Sequence, residues 1–266
     1  MKKLLSLALV LSMAVVSLTG CGKKEAAVEG DLLSKIKAQG YFTVAMEGQW
    51  APWTYHDEAD NLTGFEVDVA KAVAEKLGVE ARFVEGEWDG LLAGVQGGRY
   101  DLMANGVAII ESRLESYEFS DPYVFNKTVL IVSNDNNDIK SFEGLKGKTT
   151  CNSANSNYQL TAESYGATVK DLETLDETLE EVMAGRADAT LNAEVSFNDY
   201  LKAHPDAPLK VAAVDPDVER CAMIMPKGEE SYALRDAVNE ALKELSKEGK
   251  LAEISNKYFG MDITKE

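Results

Sequence analysis

Apolar residues recur along most of the chain with the spacings of alternating strands and helices. From 65 to 77 an apolar residue returns every fourth position, which predicts an amphipathic helix that ends at Gly78. Short apolar runs at 41–45 and 81–84 flank this segment and predict strands. Strands and helices joined by short connections are typical of a doubly wound α/β lobe. We therefore predict such a lobe from Asp31 onward.

A second series of alternating elements follows a polar loop at 133–138. We predict strands at 148–152, 168–172 and 189–192, and a predicted helix follows each of them. The chain is long enough for two modest lobes that each bury a core. The sequence therefore predicts a second α/β lobe.

The first twenty residues have the pattern of an export signal. Two lysines precede an apolar run from 4 to 18, which is short for a membrane span. The run ends Leu-Thr-Gly-Cys21, and small residues before a lone cysteine resemble a bacterial lipobox. We predict a lipoprotein signal peptide at 1–20 and a lipidated tether at 21–30. The alternative is an ordinary secretory signal in which Cys21 is incidental.

The chain is acidic, with a formal net charge of −18. Nucleic-acid binding and attraction to anionic lipid both need clustered basic residues, so the charge argues against these two partners. After the lipobox only Cys151 and Cys221 remain, which we interpret as two buried thiols, with one disulfide as the alternative. With two histidines and no Cys/His cluster, we predict neither a metal nor a cofactor.

The stretch from Tyr100 to Tyr123 carries the first candidate chemistry. An apolar run at 101–104 predicts a strand that opens into a turn at Asn105–Gly106, where backbone groups can face a ligand. Arg113 follows, and its guanidinium can hold a carboxylate through two parallel hydrogen bonds. The alternative is that Arg113 is a solvated arginine on a surface helix.

Tryptophans follow two of the predicted strands. Trp50 and Trp53 lie on the loop after 41–45, and Trp88 opens the helix after 81–84. Ligands of open α/β sheets bind at the carboxyl ends of strands, so these rings predict an aromatic wall there. The alternative is that they cap the core, which we expect for one of the first two.

A polar turn precedes a helix in the second lobe. Asn155 and Ser156 stand at its start, where free backbone N–H groups suit an anion. Plain capping of the helix is the alternative, and both roles can hold together. The nearby Gly147-Lys148-Thr149 is not a phosphate loop, because the first glycine of that motif would fall on Phe142.

These segments resemble the signature of one family. Asp101, Gly106 and Arg113, followed by Phe-Ser-Asp-Pro-Tyr at 119–123, are similar to the pattern of extracytoplasmic binding proteins of polar amino acid ABC importers. The resemblance extends over nearly the whole chain after about residue 31. It implies an α/β fold of two doubly wound, Rossmann-like lobes joined by a two-strand hinge, the type II periplasmic binding protein fold.

The resemblance also implies where the chain changes lobe. Lobe 1 would comprise 31–125 and 220–266, and lobe 2 would comprise 126–219. The two crossings, near 124–128 and near 219–222, would form the hinge.

The family pattern places a set of ligand-binding residues in the cleft between the lobes. They are Glu47, Trp50, Trp53, Trp88, Asn105, Gly106, Ala108, Arg113, Asn155, Ser156 and Glu194. Arg113 and the 105–108 backbone would hold the ligand's carboxylate, and Asn155 and Ser156 would reach it from the other lobe. Trp50 and Trp88 would cover the ligand's side chain.

Two further roles follow from the same resemblance. Trp53 would pack behind the ring of Trp50, and Glu47 would reach the ligand's side chain.

This chain departs from the family pattern at three positions. Ala193 stands where an aspartate usually binds the ligand's ammonium, and the adjacent Glu194 is shifted by about a third of a helical turn. Ile110 replaces a common threonine, and Ala108 replaces a residue that often carries a hydroxyl. The partner of the ligand's ammonium is therefore open.

The resemblance implies capture rather than catalysis. A monomer anchored to the cell membrane by a lipid on Cys21 would bind a polar amino acid and deliver it to an ABC permease. Similarity to the cystine-binding branch at 257–264 and 88–92 favours cystine. The alternatives are a dehydratase-type enzyme on the same fold and the sensory module of a signalling protein.

Overall fold

A computed structural model describes residues 30–266. The predicted signal peptide and the lipidation site at Cys21 lie outside the described residues. Within residues 30–266, no helix is both long and apolar enough to cross a membrane.

The first part of the chain alternates strands with helices. Its elements are α1 (Leu32–Gln39), β1 (Tyr41–Met46), β2 (Tyr55–His56), β3 (Leu62–Thr63), α2 (Phe65–Leu77), β4 (Glu80–Glu85), α3 (Trp88–Gln96), β5 (Leu102–Met103), α4 (Glu111–Leu114) and β6 (Tyr117–Phe119). Helix α2 ends as predicted, because Gly78 adopts the left-handed conformation with φ of 66° and its N–H closes the last turn.

The rest of the chain continues the alternation. Its elements are β7 (Val124–Ser133), β8 (Thr149–Asn152), α5 (Asn157–Ser164), β9 (Thr168–Asp171), α6 (Leu175–Met183), β10 (Ala189–Ala193), α7 (Glu194–Ala203), β11 (Leu209–Cys221), β12 (Ile224–Pro226), α8 (Tyr232–Lys247) and α9 (Lys250–Phe259). Helix α6 begins with a complete capping box, in which Thr174 and Glu177 each bond the other's backbone N–H.

The strands form two five-stranded sheets that have the same arrangement of strand directions. The first sheet has the order β4-β1-β5-β12-β6, and the second has the order β9-β8-β10-β7-β11. In each sheet the first three strands are parallel and the fourth runs antiparallel to them. Lobe 1 and lobe 2 denote these sheets with the helices packed on them. The predicted fold class of two doubly wound lobes joined by two strands is confirmed.

Two antiparallel strands carry the chain between the lobes. Strand β7 leads into lobe 2 and β11 leads out, and they pair from Leu209 with Ser133 to Cys221 with Val124. Strand β11 runs through Asp215-Pro216-Asp217 with an irregularity after Val214. An edge strand with a bulge tolerates a proline, because no neighbour requires its missing N–H.

Each sheet is covered on both faces. In lobe 1, α2, α8 and α9 pack on one face around Phe42, Phe65 and Leu242, while α3 packs on the other. In lobe 2, α5 covers one face, and α6 and α7 cover the other. Because both faces are buried, the edge at the carboxyl ends of the strands remains for a ligand.

Both cysteines of the described chain are buried thiols, as the sequence predicted. Cys151 lies in β8 and Cys221 ends β11, and each is free. Burial raises the pKa of the Cys151 thiol to about 12, which keeps it protonated and unreactive.

Candidate functional site

A cleft between the two lobes encloses about 580 Å³ of space that is open to solvent. The walls are formed by Glu47, Gln49, Trp50, Trp88, Asn105, Gly106, Asn152, Ser153, Ser156, Asn157, Tyr158, Glu173, Thr174, Leu175, Thr178 and Asn192.

The cleft lies where the strands of both sheets end. Glu47 follows β1, and Trp88 and Asn105 follow β4 and β5 of lobe 1. From lobe 2, Asn152 ends β8 and Asn192 lies near the end of β10. Doubly wound sheets bind ligands at this edge, so the topology brings these polar side chains to one place.

Two stacked tryptophans form one wall of the cleft. The rings of Trp50 and Trp53 lie 5.0 Å apart at an interplanar angle of 15°. Trp50 lines the cleft, whereas Trp53 is 1% exposed and lies behind it. The Nε1–H of Trp53 donates to Ser196 Oγ of lobe 2 at 2.8 Å. Trp53 therefore supports the wall from behind and does not face the cleft.

Glu47 is held beside this wall by Asn105. The Asn105 Nδ2 group donates to the Glu47 carboxylate at 2.6 Å, and Asn105 Oδ1 accepts from the Glu47 backbone N–H at 2.9 Å. Burial raises the pKa of Glu47 to about 7, and the bond from Asn105 opposes that rise. A carboxylate that is buried away from water can pair with a cationic group of a ligand.

The Gly106 turn is fixed by the buried carboxyl of Glu66, which lies in the first turn of α2. The Gly106 N–H donates to Glu66 Oε1 at 2.7 Å, and the Tyr123 hydroxyl donates to Glu66 Oε2 at 2.5 Å. Burial raises the pKa of Glu66 to about 7. Sequence reasoning missed these bonds because they join residues that are 40 and 57 positions apart.

Arg113 is buried rather than solvated. Its guanidinium donates to the carbonyls of Ala108 and Asn155, each at 3.1 Å, and lies 5.1 Å from the ring of Trp88. The residue is 5% exposed, and it is not among the residues that form the cleft walls. Burial lowers the pKa of Arg113, and the buried carboxyl of Glu219 on β11 opposes this shift.

Several hydrogen bonds close lobe 1 against lobe 2. Asn155 receives the bond from Arg113, and its Nδ2 donates to both oxygens of Asp89 at 3.1 Å. Trp50 Nε1 donates to Asn192 Oδ1 at 3.3 Å. Asn155 has φ of 57°, a left-handed angle that asparagine tolerates better than most residues. These bonds join the lobes over the cleft.

Ser156 caps α5 and also lines the cleft. Its Oγ accepts from the Gln159 N–H at 3.1 Å, and its role toward a ligand stays a prediction. Asn155 stands at the rim and does not line the cleft.

Two other expected site residues also lie outside the cleft walls. Ala108 is buried, and its backbone pairs with Cys221 at the hinge. Glu194 borders a separate hollow beside Phe125 and Met261, because a one-residue step at the start of α7 turns its side chain away. Ala193 is fully buried.

The structure adds cleft residues that sequence reasoning did not name. Examples are Asn152, Asn157, Tyr158, Glu173 and Asn192. The available signal was their position at the ends of predicted lobe 2 strands or at the start of α5.

Residues 42–261 match the family described as bacterial extracellular solute-binding proteins, family 3. The chain belongs to this family. The family resemblance found in the sequence is thereby confirmed, and the solute-binding protein is extracytoplasmic.

Relatives of this solute-binding protein match it over almost their full length. The L-cystine-binding protein TcyA of Bacillus subtilis (strain 168) is 39% identical over 269 residues, which cover 99% of each chain. The L-cystine-binding protein TcyJ of Escherichia coli (strain K12) is 34% identical over 261 residues, which cover 97% of each.

A solved structure shows the same architecture. A variant of the arginine-binding protein ArgBP from T. maritima superimposes with a TM-score of 0.79 at 28% identity, covering 86% of this chain and 99% of that one. The solute-binding protein thus shares its fold with amino-acid-binding proteins.

Proposed function

We propose that this solute-binding protein captures a polar amino acid, with cystine favoured, and delivers it to an ABC permease in the membrane. The observation that carries the proposal is the cleft itself, where polar and aromatic side chains of both lobes meet at the carboxyl ends of their strands. The cystine-binding relatives support the choice of ligand.

The ligand's carboxylate is proposed to bind beside Arg113. Two N–H groups of this guanidinium hold backbone carbonyls, which leaves further donors for an anion. Ser156 and the Asn105–Gly106 turn border the cleft and supply hydroxyl and amide donors. Asn155 takes part from the rim by holding Arg113 in place.

The side chain of the ligand is proposed to lie between the rings of Trp50 and Trp88, and Glu47 would take its cationic group. Trp53 acts from behind through its stack on Trp50. Glu194 has no place in this arrangement.

The lobes are proposed to move as the units 31–125 with 220–266 and 126–219, about β7 and β11. A ligand that contacts both lobes only when they are shut favours the closed form. The closed monomer, held at the membrane by a lipid on Cys21, would then dock on its permease.

A thermal-shift screen of the mature protein, residues 22–266, against the amino acids and cystine tests this function. A ligand that binds only the folded state raises the unfolding midpoint. We expect a large shift with cystine, which Arg113→Ala abolishes and the exposed Arg99→Ala retains. The absence of a shift with every amino acid would refute the proposal.

One observation favours an enzyme as a second candidate. A cleft carboxyl with a pKa of about 7, such as Glu47, has the property of a general acid. Mass spectrometry of the bound ligand separates the two functions, because a receptor returns its ligand unchanged and a dehydratase returns a product that has lost water.

A further inference from the structure

Four buried polar side-chain atoms in the described chain have no hydrogen-bond partner. They are Trp88 Nε1, Thr150 Oγ1, Asn152 Oδ1 and Ser231 Oγ. Such atoms are rare in folded proteins, because each loses its bonds to water without replacement. Trp88 and Asn152 both line the cleft, and they belong to opposite lobes.

Asn152 presents an acceptor. Its Nδ2 group donates to the Leu191 carbonyl at 2.7 Å and to Thr190 Oγ1 at 3.3 Å, which fixes the orientation of the amide. The opposite atom, Oδ1, therefore accepts hydrogen bonds only, and the residue is 2% exposed. A buried acceptor at a ligand cleft can be satisfied by a ligand group that donates a hydrogen bond.

Trp88 presents a donor. Its Nε1–H cannot accept, so it calls for an acceptor on the ligand. The Cζ atom of Arg113 lies 5.1 Å from the centroid of the same ring, so that a positive charge stands over the face of Trp88. This combination favours an anionic acceptor, such as a carboxylate.

We propose that Asn152 Oδ1 accepts from the ligand's ammonium and that Trp88 Nε1–H donates to its carboxylate. This assignment rests on the proposed function, since an amino acid carries both groups. It gives the ammonium a partner in lobe 2 although Ala193, where a carboxylate was expected, is apolar and buried. One ligand thereby satisfies an unpaired atom of each lobe and favours closure.

Titration calorimetry with L-cystine tests the assignment. We expect Asn152→Ala and Trp88→Phe each to raise Kd about 10-fold to 100-fold, the range expected when one buried hydrogen-bond partner is removed. Thr150→Val is the matched control, because it removes an unpaired buried hydroxyl of the same strand that does not line the cleft. Its Kd should equal that of the wild type.

A second ligand separates binding from structure, since Asn152→Ala also removes bonds within lobe 2. The probe is 3,3′-dithiodipropionic acid, which is cystine without its ammonium groups. The wild type should prefer cystine, and Asn152→Ala should lose about tenfold or more of that preference. Equal weakening of both ligands would overturn the role of Asn152.

The role of Trp88 is tested in the same way with cystine dimethyl ester, whose carboxylates are blocked. Trp88→Phe should weaken the binding of cystine more than the binding of the ester, and an equal effect on both would overturn the donor role.

If the wild type binds another amino acid but not cystine, both assignments fail for this ligand while the capture function stands. If it binds no amino acid, the proposed function fails with them.

Discussion

Replacing Gly106 by alanine should push the Trp50 ring into the cleft. Gly106 has φ of +57°, and a Cβ built on it would lie 2.9 Å from Trp50 Cζ3 and 3.0 Å from Cη2. The ring cannot retreat, because it stacks at 5.0 Å on Trp53, which is fully packed. The remaining direction of movement is toward the ligand.

Gly78→Ala measures the backbone part of this effect. Gly78 has φ of +66°, and a Cβ added there would meet no atom within 4 Å. The substitution therefore costs only backbone strain, about 1 kcal/mol of unfolding free energy. Gly106→Ala adds a steric term of about 1–3 kcal/mol, typical of overpacked sites. We expect a total loss of about 2–4 kcal/mol and at least a tenfold rise in Kd.

Urea unfolding gives both stability losses, and calorimetry with the ligand gives both values of Kd. The reasoning predicts that Gly78→Ala binds like the wild type while Gly106→Ala does not. Equal stability losses in the two variants, together with unchanged binding by Gly106→Ala, would refute the account of the Trp50 contact.

Three further predictions concern single side chains. The unfolding free energy should fall as pH rises from about 4.5 to about 7, because burial raises the pKa of carboxyls such as Glu66 in the folded state. Urea unfolding at several pH values should show a smaller fall of this free energy for Glu66→Gln than for the wild type. Ser196→Ala leaves Trp53 Nε1 unpaired in the closed form, so calorimetry should show Kd raised about tenfold. Glu194→Ala should leave Kd within about twofold, since this residue lies outside the cleft.

The fold was predictable because the sequence patterns that mark its helices and strands lie within each element. Helix α2 reveals itself by apolar residues every fourth position, and its end by Gly78. The alternation of such helices with short strands fixes the fold class, and parallel topology then places the strand ends at one edge. Trp50, Trp88 and Asn105 were therefore assigned correctly to that edge from the sequence alone.

The remaining cleft residues depend on facts that the sequence does not display. Every residue of β10 is buried, so the alternation of apolar and polar residues from Ala189 to Ala193 marks no solvent-exposed face and could not show that Asn192 faces a cleft. Glu66 has the position of an exposed first-turn acid, and its burial arises from the distant Gly106 and Tyr123. Asn152 stands out only through an acceptor left unpaired in three dimensions.

The order of the strands has a consequence for biosynthesis. All of the second sheet lies between Val124 and Cys221, whereas β12, which fills the gap between β5 and β6 in the first sheet, is made later. As the chain leaves the ribosome, lobe 2 therefore has all its strands before lobe 1 does, although lobe 1 begins first. A nascent chain that ends before residue 224 exposes the edges of β5 and β6, the kind of unpaired edge that invites aggregation.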